Sequence, residues 1–395
     1  MDQNEWLNRK TSIFASDIEK NFQKLSDLVE EKKFLIVGGA GTIGQSVTEQ
    51  LVKFCPKTLD VIDLSENNLV ELVRTIRSGM SSPNANFKAV PLDVNSLEFD
   101  RFIEKNGPYD YVLNLSALKH VRSEKDAFSL SRMIDVNIFN SVKLAKLCLE
   151  MNAKKYFCVS TDKAANPANM MGASKRIMEL FLMRESEMVD ISFARFANVL
   201  FSDGSLPFGF LKRFEKMQPL SAPFDVKRYF ITKEESGQLC MLSCLLGKNR
   251  DIFFPKLKKN LHETTFSDLA EKFLLARGFK PVIYETEDGA RQEANAIIPQ
   301  KKWPVYFFAS DTTGEKDYEE FFTDDEDIDM KSYKMIGIVK AREMHEKDKL
   351  DYFSYSIEKW RENKSWDKES LVKIFKDCLP EFKHEEKNKN LDQKM

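Results

Sequence analysis

The stretch Lys32–Gly44, KKFLIVGGAGTIG, constrains this chain more than any other. Phe34-Leu35-Ile36-Val37 is a short apolar run with lysines before it and glycines after it. Such a run suits a strand buried on both faces of a parallel sheet. Gly38, Gly39, Gly41 and Gly44 follow, and Gln45–Val52 continues at helical spacing without a breaker. Glycine lets the backbone turn sharply and approach a ligand where a Cβ would collide. Strand, glycine loop and helix form a diphosphate site, with the anion on free N–H groups at the positive end of the helix. Gly39, Gly41 and Gly44 fit GxGxxG, while Gly38, Gly41 and Gly44 fit GxxGxxG. Gly38, Gly41, Thr42, Ile43 and Gly44 are therefore candidate cofactor contacts. A glycine-rich turn without a ligand is the alternative.

Leu59–Asp63 has the pattern of the next strand, and Asp63 ends it about 20 residues past Gly44. An acid there accepts both ribose hydroxyls of NAD and repels the 2′-phosphate of NADP. From Lys32 to about Cys158 strand and helix patterns alternate, as a doubly wound parallel sheet requires. Further strands are predicted at Phe87–Leu92, Tyr111–Leu115, Tyr156–Ser160 and Ile191–Phe196, with a long helix over Arg132–Glu150. The fold class expected is α/β, a Rossmann-type sheet with a smaller C-terminal substrate-binding region and helical extensions at both ends.

Such sheets bind ligands at the carboxyl ends of their strands. That singles out Asp93 and Val94 after the third strand, and Ala117, Lys119 and His120 after the fourth. At the end of the fifth stand Ser160, Thr161, Asp162 and Lys163, with Lys175 in the first turns of the next helix. Two lysines and an acid near one point favour chemistry over a solvated turn. Asn198 lies beyond the Ile191–Phe196 strand. Arg228, in a basic-aromatic cluster, is either a diphosphate clamp or a solvated charge beside core aromatics.

The boundaries expected are 1–31 for a helical arm, 32–200 for the NAD-binding core, 201–334 for the mainly substrate-binding region and 335–395 for a charged helical extension. The arm docks either on its own body or on another subunit, and a homo-oligomer is expected. Residues 280–303 read as a charged insertion. The stripe Tyr352, Phe353, Ile357, Trp360 predicts one tail helix and Leu371, Val372, Ile374, Phe375 a second; the last ten or so residues read as disordered in isolation.

The 395 residues carry 60 basic and 62 acidic side chains, a balance that gives no reason to expect nucleic acid or an anionic membrane as partner. The N-terminus is charged where a signal peptide needs an apolar core, and no apolar run reaches transmembrane length. A cytoplasmic protein is expected. The four histidines have no metal-ligand spacing, and the Cys240/Cys244 pair reads as two buried small residues on one helix face.

Taken together, GGAGTIG, Asp63-Leu64-Ser65-Glu66-Asn67, LSALKHV, VSTDKAANPANMMGASKR and RFANVLFSDGS resemble the extended short-chain dehydrogenase/reductase superfamily. Within it they look like the polysaccharide-biosynthesis nucleotide-linked N-acetylhexosamine 4,6-dehydratases, over about Lys32 to Asp329. The resemblance implies tightly held NAD, a nucleotide-sugar substrate and a 4-keto-6-deoxy product for surface glycans. It implies that Thr161, Asp162 and Lys163 are the family's active-site triplet and that Lys175 is the lysine of YxxxK. The tyrosine of that motif is replaced by Met171, which cannot take a proton. Ser65 falls in the ribose-side motif, and Glu315 in a turn that contacts the nucleotide in relatives.

The implied reaction has three acts: oxidation at C4, loss of water across C5–C6 and reduction at C6, with NAD carrying the hydride. Lys163 is assigned as base at C5, Asp162 as acid to the C6 hydroxyl and Thr161 as hydrogen-bond partner of the C4 oxygen. A single base that removes and returns the C5 proton implies retention at C5. UDP is favoured over GDP as carrier. The rival readings are a nucleotide-sugar 4-epimerase and a catalytically idle nucleotide-sugar-binding protein. The purified protein is expected to carry NAD(H), and Asp63→Ala to weaken its retention. Chromatography of nucleotide released on denaturation checks this, and release of NADP(H) alone would overturn the ribose argument.

Overall fold

The computed structural model describes residues 3–7, 9–79, 86–256, 263–310, 319–341 and 347–384. The chain builds a nine-stranded sheet among these residues. Its first six strands are β1 (Lys33–Val37), β2 (Thr58–Asp63), β3 (Asn86–Pro91), β4 (Tyr111–Asn114), β5 (Lys155–Val159) and β6 (Ile191–Ala194). They lie in the order 3-2-1-4-5-6, all parallel. Strand Asp251–Pro255 adds in parallel to β6; Ile336–Lys340 and then Asp327–Asp329 extend the edge in antiparallel pairing. The expected Rossmann-type α/β architecture is therefore present.

The apolar run that opened the chain divides by pleat. Phe34 and Ile36 point to one core, and Leu35 and Val37 to the other, all four essentially inaccessible to solvent. A strand buried on both faces needs apolar residues at every position, which is why it reads as continuous rather than alternating. One face is covered by the helices Thr42–Val52, Glu66–Ser78 and Lys233–Leu246 and by the N-terminal arm through Phe14, Leu25 and Val29. The arm docks on its own chain: Arg9 pairs with Glu235 at 2.8 Å, and both oxygens of Asp17 accept backbone N–H groups of Lys334 and Met335.

The other face is covered by the helices Ala127–Ile134, Asn140–Glu150 and Met170–Glu185, and by the tail helices Lys347–Glu362 and Lys368–Cys378. The helix expected from Arg132 starts earlier, at Ala127 under an Asp126 cap, and passes through one wide turn at Asp135–Phe139. Three other expectations are corrected. Residues 280–303, expected as a charged insertion, are regular structure: Lys280–Tyr284, the helix Glu287–Ile297 and Lys302–Phe308 form a strand–helix–strand unit. Its strands join Leu220–Pro223 in a three-stranded parallel sheet. The charges that suggested an insertion sit on the outer face of that helix, where only Ala290 and Ala294 are buried. The stretch from 335 begins with a sheet strand, Ile336–Lys340, because its four leading apolar residues are buried on both sides. In the first tail helix Leu350, not Tyr352, completes the buried stripe with Phe353, Ile357 and Trp360. The C-terminal residues read as disordered lie outside the described residues.

The remaining apolar side chains form a third cluster around Trp6, Phe210, Phe273 and Trp303. Cys240 and Cys244 are buried in helix Lys233–Leu246, as packing residues are. Among the described residues, no helix is long and apolar enough to cross a membrane, and no group of three or more His, Cys, Asp or Glu could hold a metal ion.

One buried ion pair locks the C-terminal half of the sheet to its helices. Arg195 follows β6 and is 0 % exposed; its Nη2 and Nε donate to Glu179 at 2.7 and 3.0 Å. It also donates to Glu326 at 2.9 Å and to the carbonyl of Phe321 at 2.7 Å. Burial opposes the charge of Glu179, but Arg195, Arg176 and the Ser160 hydroxyl hold its carboxyl down at about 2. A carboxyl so depressed stabilises the fold above the usual glutamate range and loses that contribution as pH falls through about 2. Glu179→Ala is expected to cost about 3–5 kcal/mol in urea unfolding at pH 7, since it strands a buried guanidinium. It should also flatten the acid limb of the stability curve. A loss under about 1 kcal/mol, the value of an exposed pair, would contradict this.

Candidate active site

The order 3-2-1-4-5-6 reverses direction between β1 and β4, and a cleft opens there at the carboxyl ends of the strands. Its volume is about 330 Å³. Gly38 and Gly41 line it from the glycine loop, Asp63 from the end of β2, Asp93 and Val94 from beyond β3, and Ser116 and Ala117 from beyond β4. Asn68, Arg132 and Asn140 add walls that sequence reasoning did not single out, because they come from helices and carry no local motif; Leu64, in the turn after β2, lines the cleft as well.

Each glycine of the loop has its own reason. Gly38 has φ +74°, and a Cβ there would sit 2.4 Å from the backbone N of Ser116. Gly44 lets the helix Thr42–Val52 press on the loop, since a Cβ would meet Gly38 O at 2.3 Å. Gly41 is different. A Cβ there would meet nothing closer than Gly38 O at 3.6 Å, so protein packing does not require it; the room it leaves belongs to the cleft. Gly41 also precedes the helix without any side-chain cap, so the first N–H groups of that helix keep their donor capacity.

Asp63 Oδ2 accepts from Ala40 N and Oδ1 from Ser65 N, both at 2.9 Å, which ties the loop to β2. Each oxygen keeps a lone pair for a further donor. Ser65 itself caps the helix Glu66–Ser78 through Asn68 N and does not line the cleft. Ile43 and Gly44 lie behind the lining. Thr42 Oγ1 donates to Asp203 at 2.8 Å and accepts from its backbone N at 3.0 Å, linking the helix start to the segment beyond Asn198. Glycine cradle, uncapped helix terminus and ribose-side carboxylate fit an adenine dinucleotide.

The second cluster lies at the end of β5. Thr161 Oγ1 donates to Asp162 Oδ1 at 2.8 Å, and Lys163 Nζ donates to the two oxygens of Asp162 at 3.1 and 3.3 Å. Asp162 is buried, while the Lys163 side chain is 30 % exposed. The two lysines take different partners. Lys163 is paired with Asp162, whereas Lys175 Nζ donates to Val159 O at 3.2 Å and burial pushes its ammonium down. Met171 is buried on the same helix, its backbone N–H donating to Glu124 at 3.1 Å.

Glu319 completes this cluster, and sequence reasoning missed it. Its Oε1 accepts from Asn198 Nδ2 and its Oε2 from Tyr229 N at 2.9 Å. Burial, with Asp162 beside it, raises its carboxyl to about 7 against the opposing Tyr229 N–H, Lys163 and Arg228. In sequence Glu319 stands in an acidic run with no motif to mark it. Arg228 is buried, with Nη1 donating to Lys227 O at 2.8 Å. Lys119 and His120 are exposed beyond β4, with the His120 ring against Gly204. Glu315 lies outside the described residues.

Comparison with known proteins agrees with this architecture. Residues 34–341 match the family described as "Polysaccharide biosynthesis protein". An uncharacterized membrane protein of Methanocaldococcus jannaschii is 31% identical over 271 residues, covering 66% of this chain and 77% of the relative. A UDP-N-acetylglucosamine 4,6-dehydratase (inverting) of Campylobacter jejuni is 24% identical over 256 residues, 62% of this chain and 73% of the relative. A UDP-glucose 4-epimerase of Rickettsia akari is 25% identical over 254 residues, 62% and 71%. The chain spans less than half the length of two further relatives, 38% of EpsC of Bacillus subtilis and 46% of CapD of Staphylococcus aureus. Among solved structures, Pen from Bacillus thuringiensis superimposes with a TM-score of 0.63 at 23% identity, covering 80% of this chain and 90% of that one. WbmF of Bordetella bronchiseptica with NAD+ does so with a TM-score of 0.51 at 17% identity, covering 64% and 80%.

Two glycine variants separate ligand room from loop packing. Gly41→Ala is expected to lose bound dinucleotide while the thermal midpoint of the nucleotide-free protein stays unchanged. Gly44→Ala is expected to lower the midpoint as well, because its Cβ overlaps Gly38 O. Differential scanning fluorimetry with a count of released nucleotide reads both. An unchanged nucleotide content in Gly41→Ala would remove the loop from the binding site.

Proposed function

The chain belongs to the polysaccharide biosynthesis protein family, and from that premise we propose that it dehydrates a nucleotide-activated N-acetylglucosamine at C4–C6, with NAD as cofactor. UDP is the carrier proposed, and the GDP-linked sugar is the second to test. NAD, when bound, carries the hydride from C4 to C6. Gly38, Gly41 and Asp63 would hold it, and Lys175 would hold the nicotinamide ribose.

The observation that carries this reading is the Asp162–Lys163 pair beside Thr161 at the end of β5. Elimination needs a base for the C5 proton and an acid for the C6 hydroxyl, both near one carbon–carbon bond. The pair holds one proton across a 3.1 Å hydrogen bond. Moving that proton from Nζ to Oδ1 creates the neutral amine and the protonated carboxyl together, with no change in net charge. Lys163 then takes the C5 proton while Asp162 protonates the departing hydroxyl. Thr161, already aligned on Asp162, offers its hydroxyl oxygen to the C4 hydroxyl. Lys163 next returns its proton to the same face of C5. Met171 supplies no competing donor, so retention is expected.

A 4-epimerase is the second reading. The relatives include proteins so named, and in the resting pair Lys163 carries its proton, a form that abstracts nothing at C5. The two readings differ in the mass of the product. Incubation with UDP-N-acetylglucosamine and mass spectrometry is expected to show loss of one water; an isomer of unchanged mass would favour epimerisation. Asp162→Asn and Lys163→Ala are expected to lower water loss by about 10²–10⁴ while NAD stays bound. NMR couplings of the fresh product report C5, and an inverted product would reject Lys163 as sole proton carrier.

A further inference from the structure

The Asp162–Lys163 pair cannot close its own proton cycle. At rest it holds one proton, on Lys163. Oxidation at C4 releases a second proton from the C4 hydroxyl. If the pair kept both, Lys163 would stay an ammonium and could not act as base. A third group must carry the extra proton through turnover.

Three tethers hold the 319–321 segment, with its carboxyl Glu319, on the elements around the pair. Asn198 bonds Glu319; Asn166, in the turn after Lys163, donates to Glu320 at 3.2 Å; and Arg195 donates to Phe321 O at 2.7 Å. Asn198 stands two residues past Phe196, whose carbonyl accepts the N–H of Asp162 at 3.3 Å. The charged and titratable groups facing Glu319 are Asp162 and Lys163 from the β5 turn, and Arg228 and Tyr229 from the strand pair beside it.

We propose that Glu319 is the proton store of this site, acting through Asp162: it accepts the proton released by the C4 hydroxyl and returns it to the pair after water has left. This rests on the dehydration reading. The C4-hydroxyl proton passes by the Thr161 hydroxyl to Asp162, and one proton moves on to Glu319. The pair then shifts to neutral Lys163 and protonated Asp162. The C5–H bond breaks to Lys163, and the C6–O bond breaks as Asp162 gives its proton to form water. Lys163 reprotonates C5 as hydride reaches C6. Glu319 gives its proton back, restoring the ammonium–carboxylate pair. Burial and the neighbouring Asp162 charge, which put the Glu319 carboxyl at about 7, suit it to gain and lose a proton near neutrality.

Glu319→Gln keeps an acceptor for Tyr229 N but cannot titrate. Its turnover is expected to fall about 10²-fold, and the acid limb of the rate profile near pH 7 should vanish, with NAD content and thermal midpoint unchanged. Glu319→Asp should restore part of the rate and the limb. Full turnover with an unaltered profile in Glu319→Gln would overturn the proposal. Infrared titration of the carboxyl band needs no substrate. It is expected to show a carboxyl with a midpoint near 7 that is absent in Glu319→Gln and falls toward the ordinary range in Asp162→Asn. A midpoint indifferent to Asp162→Asn would also overturn it. Wild-type protein that releases no water while these infrared shifts hold would reject the dehydration reading and leave the Glu319–Asp162 coupling standing.

Discussion

The buried contact between Arg195 and Glu179 is the constraint on which the site depends. It joins four elements that are distant in sequence: the end of β6, the helix Met170–Glu185, Ser160 at the end of β5, and the 321–326 segment. Taking these charges out of water is tolerated because all of the donors named find acceptors, and a fork of donors on two carboxylates is the geometry arginine offers best. Ser160, which donates to Glu179 at 2.6 Å, immediately precedes Thr161-Asp162-Lys163. A shift of any one element would move the acid, the lysine helix or the Glu319 segment relative to the others.

Around that anchor the two halves of the chain do different work. The N-terminal half supplies a rigid cradle whose shape comes from backbone: a left-handed glycine, a close helix approach and a carboxylate spanning two loops. The later segments supply side chains that arrive from several directions on the end of β5. Asn198, Arg228 and Glu319 meet there through single hydrogen bonds and electrostatic contact rather than through a shared element. Thr42 bonds Asp203, and Lys233 donates to Gln45 and Glu49, so cradle and second region are tied directly at more than one point.

In the proposed reaction, the charge arrangement lets two carboxyls and one lysine serve several proton transfers. Asp162 lies against an ammonium, so its charge is matched locally. Glu319 is buried next to that same carboxylate with its cations at longer range, so its proton is held more tightly. In the proposed reaction, two carboxyls with such unequal surroundings divide the acid and base roles between them.

What the sequence by itself determined is the part written in short-range chemistry. The apolar run at Phe34–Val37, the glycines after it, Asp63 at a strand end and the Ser160–Lys163 turn each act within a few residues, and each lies where local reasoning put it. The helical arm and tail were legible too, because an amphipathic stripe repeats within one element. Tertiary structure alone decided the rest. Lys163 bonds Asp162 while Lys175 is drawn into the helix–sheet interface toward Val159 O, a division of partners that the two positions do not announce. Residues 280–303 became part of a sheet unit because their strands found Leu220–Pro223, a long-range pairing that charge content hides. Glu319 became chemically distinct only by burial beside Asp162. Desolvation and electrostatic coupling depend on distance in space, and a chain position more than 150 residues away carries no record of them.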